Sequence, residues 1–249
     1  MSESGANHGR VVLVTGGSRG IGLGCARRFQ AMGDRVAVTY RTAPPADLAG
    51  DPGTTDLVAV PCDVRDPGTV ESAFAAVEDQ LGPVEVLVAN AGVTKDTLLL
   101  RMGEDTWDEV VDTNLSGVYR VVRRALGPMV RAHRGRIVLV SSVVAFLGSP
   151  GQVNYGAAKA GLVGVARSLA REVGSRAITV NVVAPGVIET DMIASLGKQR
   201  VEQLLAMVPV GRSGQPGDVA GVVSFLASDD AAYVTGAVIP VDGGLGMGL

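Results

Sequence analysis

The sequence predicts an α/β protein, a single doubly wound domain with a seven-stranded parallel sheet flanked by helices on both faces. Seven short runs rich in β-branched residues alternate with longer helical patterns along 249 residues, the order of a parallel sheet with crossover helices. The runs are apolar at consecutive positions, as strands covered on both faces must be. A chain of this length fits one core. Residues 10–249 are therefore expected to form one domain behind a flexible N-terminal tail, residues 1–9.

VVLV at 11–14 is the first strand, and VTGGSRGIGLG at 14–24 places five glycines at its end. Such a cluster marks backbone that turns sharply or lies against something large. The helix that follows, 21–32, can turn Ile21, Leu23, Phe29 and Met32 toward the sheet. VAVTY at 36–40 is the second strand. The crossover 41–53 holds Pro44, Pro45 and Pro52, which oppose a helix, so a loop with at most one turn is expected. Strands at 57–60, 84–89, 136–141, 177–184 and 237–241 then alternate with helices near 67–81, 104–131, 155–174 and 217–227.

Composition narrows the function. Hydrophobic residues at 47% and charged residues at 19% argue against disorder, and a net charge of −3 offers nucleic acid no overall attraction. No apolar run approaches the roughly 18 residues of a membrane span, and MSESGANHGR lacks the basic-then-apolar order of a signal peptide. A cytoplasmic protein is expected. Cys25 and Cys62 suit buried packing positions better than a disulfide framework or a thiolate zinc site. With only His8 and His133 besides, neither a Ser-His-Asp hydrolase nor a metal centre is expected.

In a strand–turn–helix unit, a glycine turn lets backbone N–H groups and the positive end of the helix dipole meet a pyrophosphate with no side chain between them. The spacing here is G-x-x-x-G-x-G, which alone could equally be a tight strand-to-helix connection. Tyr155 and Lys159 lie four apart, hence on one helix face, one turn apart. Ser142 ends the preceding strand, at the edge where doubly wound sheets hold ligands. A lone Tyr-x-x-x-Lys pair is commonly a solvated helix face; together with the glycine turn it points to dinucleotide chemistry.

From Val11 to its end the chain resembles the short-chain dehydrogenase/reductase family, through TGGSRGIG (15–22), CDV (62–64), NAG (90–92), Asn114 in DTNLSG, Ser142, YGAAK (155–159) and the pair Pro185, Gly186. The resemblance implies a Rossmann-like fold and a catalytic set of Asn114, Ser142, Tyr155 and Lys159. Tyr155 would give a proton to a substrate carbonyl as hydride reaches its carbon. Lys159 would lower the phenol pKa, ordinarily about 10, and bond the nicotinamide ribose. Ser142 would hold the carbonyl oxygen. Asn114 would keep a water chain behind Lys159, the alternative being a helix-interior asparagine bonded to backbone.

The same resemblance implies cofactor contacts at Gly16, Ser18, Arg19, Gly20, Ile21 and Gly22 in the turn, and at Asp63 and Val64 beside the adenine. Asn90, Ala91 and Gly92 would lie by the ribose, and Pro185, Gly186, Ile188 and Thr190 near the carboxamide, with Tyr155 and Lys159 completing the set. An NAD enzyme places an acid at the end of the second strand, where this chain has Tyr40 and Arg41. NADPH is therefore the expected cofactor, with Arg41 and Arg19 on its 2′-phosphate. Ala89 departs from the family, many of whose members have asparagine before NAG.

VNVVAPGVIETDM, YGAAKAGLVGVARSLARE and AVIPVDGGLGMG resemble the 3-oxoacyl-[acyl-carrier-protein] reductase branch of the family, nearest its actinobacterial members. That implies acyl carrier protein as partner, a homotetramer, and a substrate lid over 191–210. Met192, Ile193, Leu196, Val201, Leu204, Leu205 and Met207 would give the lid an apolar face, for an acyl chain or for ordinary packing. Reductases of other ketones, polyketide or acetoacetyl-CoA type, share these residues. A non-catalytic dinucleotide-binding sensor and a Rossmann-like methyltransferase are readings from other classes, and neither needs Ser142, Tyr155 and Lys159 together. Arg131, Arg134 and Arg176 are expected to receive the acidic carrier beside the active-site mouth, with Arg120 and Arg124 on a shared helix face; solvated arginines at helix ends are the alternative.

Overall fold

The computed structural model describes residues 9–46, 57–194 and 197–247. Along them run β1 (Val11–Val14), α1 (Gly20–Ala31), β2 (Arg35–Tyr40), β3 (Val58–Pro61), α2 (Pro67–Leu81), β4 (Val86–Ala89), α3 (Glu104–Val111), α4 (Gly117–Ala132) and β5 (Gly135–Val140). There follow α5 (Val144–Leu147), α6 (Val153–Val173), β6 (Ile178–Pro185), α7 (Asp191–Ala194), α8 (Lys198–Leu205), α9 (Pro216–Leu226) and β7 (Val238–Val241). The seven strands form one sheet in the order β3-β2-β1-β4-β5-β6-β7, and all six neighbouring pairs are parallel. The chain winds outward from β1 to β3, then returns to place β4 on the other side of β1. That reversal opens a crevice beyond the carboxyl ends of β1 and β4, where open α/β sheets hold their ligands.

Period-two alternation divides each strand between two cores. Val11, Leu13, Leu87, Ile137 and Leu139 pack with Phe74 of α2, Met129 of α4 and Leu162 of α6. Val12, Val14, Val86, Val88 and Val138 pack with Cys25 and Phe29 of α1 and with Val223 and Leu226 of α9. Both cysteines are free and buried; burial pushes their thiols up, to about 12 at Cys25 and about 11 at Cys62, so both are unreactive thiols at neutral pH.

Local chemistry explains where the helices start. Asp66 accepts from the Gly68 N–H at 2.7 Å and Pro67 opens α2. Gln215 and Asp218 form a reciprocal capping box around Pro216, the first residue of α9. Helix α1 has no capping side chain and no acidic residue in its first turn.

The single helix expected over 104–131 is divided: a turn of π-helix, Asp112–Ser116, joins α3 to α4. Asn114 causes it. Its Nδ2 donates to the Val110 carbonyl at 2.8 Å, the acceptor that the backbone N–H of residue 114 takes in a regular α-helix, and side-chain competition of this kind loosens the ladder. A 3.6-residue hydrophobic period carries no trace of one widened turn. The short helices α5, α7 and α8 and the 3₁₀ turns Leu99–Arg101 and Gly174–Arg176 were likewise not anticipated. Residues 41–46 of the crossover have no regular structure. The rest of that loop, the tail to residue 8, Leu196 and the side chain of Met192 lie outside the described residues. Among the described residues no helix is long and apolar enough to cross a membrane.

Candidate active site

Ser142 lies just past the carboxyl end of β5, and the first two turns of α6 bring Tyr155 and Lys159 against it. The anchoring is specific. Ser141 Oγ donates to the Lys159 carbonyl at 2.8 Å, and Lys159 Nζ donates to the Val140 carbonyl at 2.7 Å, both buried. At the helix start the buried Asn154 donates from Nδ2 to the carbonyls of Lys95 and Thr106, and its Oδ1 accepts from the Tyr155 N–H at 2.8 Å. The Ser142 hydroxyl lies near the Tyr155 phenol and favours its ionised form. Neither Ser141 nor Asn154 was singled out by sequence reasoning. Their one signal, polar residues beside the Ser142 and Tyr155 motifs, does not distinguish an anchor from a solvated side chain.

Burial dominates the electrostatics here. Packing raises the Tyr155 phenol to about 12, although the residue is only half-buried; the Ser142 hydroxyl pulls the other way and the Asp96 charge adds to the rise. Burial lowers Lys159 to about 8. The net shift of the phenol is upward, and Lys159 is not among its causes. The ammonium sits 5.8 Å from the centre of the Tyr155 ring and donates to the Val140 carbonyl.

Asn114 is completely buried, and backbone bonds engage its amide. Besides Val110 it donates to the Val93 carbonyl at 2.9 Å and accepts from the Val93 N–H at 3.3 Å. It thus clamps the segment after β4 to the π turn. Gly92 lies between this amide and the lysine: a Cβ there would approach Asn114 Oδ1 to 2.6 Å and Lys159 Nζ to 3.4 Å.

The glycine turn has two kinds of glycine. Gly16 and Gly20 have φ of +62° and +53°, a backbone region that disfavours side chains. Gly22 permits close packing, since a Cβ on it would come within 2.4 Å of the Gly16 carbonyl and 2.5 Å of Asn90 Nδ2. Asn90 Nδ2 donates to the carbonyls of Thr15 and Gly16, both at 3.0 Å, so its side chain fastens the turn. Thr15 Oγ1 accepts from the N–H groups of Asn90 and Ala91, and Thr39 Oγ1 from that of Gly16; sequence reasoning passed over both threonines. The result is a fixed turn leading into an uncapped helix start with no acid in its first turn, which suits the pyrophosphate of a dinucleotide.

The remaining expected contacts are distributed around this crevice. Ser18 and Ile21 are half-buried in the turn, and Ala91 backs Gly16. Asp63 is paired with Arg65 at 2.6 Å, which holds its carboxyl below the usual range, with a smaller contribution from Arg41. Val64 packs on Gly117 of α4. Pro185 ends β6; Gly186 lets the Asp242 backbone approach where a Cβ would meet it at 2.7 Å, and Ile188 bridges to Gly214. The Thr190 methyl lies 3.2 Å from where a Gly20 Cβ would be. Arg41 is exposed, whereas Arg19 is paired with Asp191 at 3.1 Å. A cavity of about 1090 Å³ separates the first half of α1 from α7 and α8, with Leu23, Ile193, Val201 and Pro216 among its walls. Ser142 and Tyr155 do not line it, so this cavity lies on the α1 side of the reactive groups.

The basic patch is not where sequence reasoning put it. Arg134 and Arg176 precede β5 and β6, at the amino edge of the sheet, whereas Ser142 lies beyond the carboxyl edge. A six-residue strand separates the edges by about 20 Å, so within one chain these arginines are not beside its own mouth. Arg176 bonds His133 at 2.9 Å. Arg120 pairs with Asp112, and Arg124 with Glu71 and Glu78, which neutralises the shared face. One-dimensional spacing puts residues on a helix face but does not say which end of the sheet that face meets.

A Ser–Tyr–Lys cluster at the carboxyl edge of a doubly wound sheet, beside a glycine turn, is the arrangement of a short-chain dehydrogenase/reductase, and the chain belongs to that family: residues 16–246 match the family model described as enoyl-(acyl carrier protein) reductase. Among curated proteins it is 50% identical over 239 residues to the 3-oxoacyl-[acyl-carrier-protein] reductase MabA of Mycobacterium tuberculosis (strain ATCC 25618 / H37Rv), covering 96% of this chain and 94% of that protein. The MabA of Mycobacterium avium is 48% identical, covering 99% and 96%. The 3-oxoacyl-[acyl-carrier-protein] reductase FabG of Escherichia coli (strain K12) is 45% identical, covering 96% and 98%.

Proposed function

We propose that the chain is an NADPH-dependent reductase that converts a 3-oxoacyl thioester on acyl carrier protein to the 3-hydroxyacyl thioester in fatty acid elongation. The observation that carries the reading is the Tyr155 phenol beside the Ser142 hydroxyl, with the buried Lys159 ammonium 5.8 Å from the ring, in a chain 45–50% identical to reductases of that name. A proton donor beside a hydroxyl suits a carbonyl oxygen, which gains a full proton on reduction.

The reduced nicotinamide supplies the hydride. Ser142 donates a hydrogen bond to the substrate oxygen and holds it close to Tyr155. Tyr155 transfers its proton to that oxygen as the carbon–oxygen double bond becomes single. A phenol raised to about 12 is fully protonated at neutral pH, so it is loaded for the reductive direction, and an alkoxide is the stronger base. Lys159 stabilises the phenolate left behind and binds the ribose; Asn114 acts as a positioning residue that holds the wall beside it. The turn from Gly16 to Gly22 takes the pyrophosphate, and Asp63, Val64, Asn90, Ala91, Gly92, Pro185, Gly186, Ile188 and Thr190 line the remaining contacts. Arg41, exposed at the end of β2, and Arg19 read the 2′-phosphate that separates NADPH from NADH. The same proposal includes a single domain over 10–249, a lid over 191–210, a homotetramer and a cytoplasmic location.

Tyr155→Phe tests it. Reduction of an acetoacetyl thioester should fall about 10²- to 10⁴-fold in kcat, while NADPH still binds as judged by nucleotide fluorescence. A variant with near-full kcat would assign the proton to another group.

A further inference from the structure

Arg19 has two claims on it. It stands at the N-cap of α1 with extended backbone, yet its guanidinium reaches across 172 residues of sequence to Asp191, the first residue of α7. The contact is local to the glycine turn, because Thr190 already rests against Gly20. Beyond it, α7 and α8 are held off α1 by the large cavity, whose walls include Arg19 and Asp191. About three-quarters of each side chain is exposed, so the pair is weak and can be exchanged for another anion.

We propose that Asp191 is a specificity-determining residue: its carboxylate competes with the cofactor 2′-phosphate for Arg19, and seating of the phosphate releases the α7–α8 segment from α1. The proposal rests on the reading of Arg19 given above. A dianionic phosphate next to Arg19 also meets the like charge of Asp191, so the aspartate opposes NADPH and is neutral toward NADH. Cofactor choice and lid position thereby share one guanidinium, and Asp191 acts as a positioning residue through it.

The test uses the full chain and measures binding by nucleotide fluorescence. Asp191→Asn should lower Kd for NADPH about 1.4- to 5-fold, the range of an exposed ion pair, and leave Kd for NADH unchanged; in an Arg19→Ala background the effect should vanish. Without nucleotide, tryptic cleavage after Lys198 and Arg200 should rise by the same factor in Asp191→Asn, since proteolysis follows the open population. If Arg19→Ala leaves the NADPH-to-NADH ratio of Kd unchanged, Arg19 does not read the phosphate and the cofactor reading of that residue falls. A changed ratio in Arg19→Ala with no gain in Asp191→Asn, or an equal gain for both nucleotides, overturns the competition alone. Unaltered cleavage overturns the release of α7–α8.

Discussion

Lys159 should make the protein less stable at neutral pH than its apolar isostere would. The side chain is buried and its pKa falls from 10.5 to about 8, which corresponds to about 3 kcal/mol. Below pH 8 folded and unfolded states both hold the proton, so the full cost of burying the cation is present. Between about 8 and 10.5 the unfolded chain holds a proton that the folded chain has released, so stability rises with pH. Above that range the penalty is gone. Lys159→Met removes the penalty but leaves the Val140 carbonyl without its donor, a loss of about 1 kcal/mol. The variant should therefore be about 2 kcal/mol more stable than the natural protein at pH 7, and about 1 kcal/mol less stable above pH 10.5. Tyr155, raised to about 12, stays neutral across the decisive window. Urea unfolding of both proteins at pH 7, 8, 9 and 10, at one protein concentration, measures the difference. A variant no more stable at pH 7, or a difference constant with pH, would refute the reasoning.

Two further outcomes follow from the same contacts. Arg41→Asp should reduce the NADPH-to-NADH ratio of kcat/KM more than tenfold, since a charged hydrogen bond to phosphate contributes roughly 1.5–3 kcal/mol; steady-state kinetics with both cofactors checks it. Asn114→Leu deprives the N–H and carbonyl of Val93 of their partner in a partly buried setting, so stability should fall by about 1–3 kcal/mol, and the absence of any urea-measured loss would show that Asn114 does not clamp the π turn.

Much of the fold was legible in one dimension. Two-sided apolar runs are a local property of buried parallel strands, and all seven appear within a few residues of where the sequence puts them. The Tyr155–Lys159 spacing likewise has meaning on any helix, and Ser142 lies two residues past the end of β5, close to where the sequence puts it. The divisions inside elements were not legible. The π turn at Asp112–Ser116 depends on what a single amide finds to bond, and Val93 is a partner only after the sheet has formed.

The sequence by itself determined the parallel sheet, its helices and the positions of the reactive groups along the chain, because periodicity and spacing are properties of neighbouring residues. Only the tertiary structure decided their energetics. Burial, which no local pattern reports, raises Tyr155 and lowers Lys159. It also decided which charges are already engaged: Arg19 by Asp191, Arg120 by Asp112 of the π turn, and Arg124 by Glu71 and Glu78 of α2. Strand direction decided that Arg134 and Arg176 lie a full strand length from Ser142. The edge of a sheet that a residue occupies, and the charge it meets there, are set by chain reversals many residues away, and these become definite only when the strands pair.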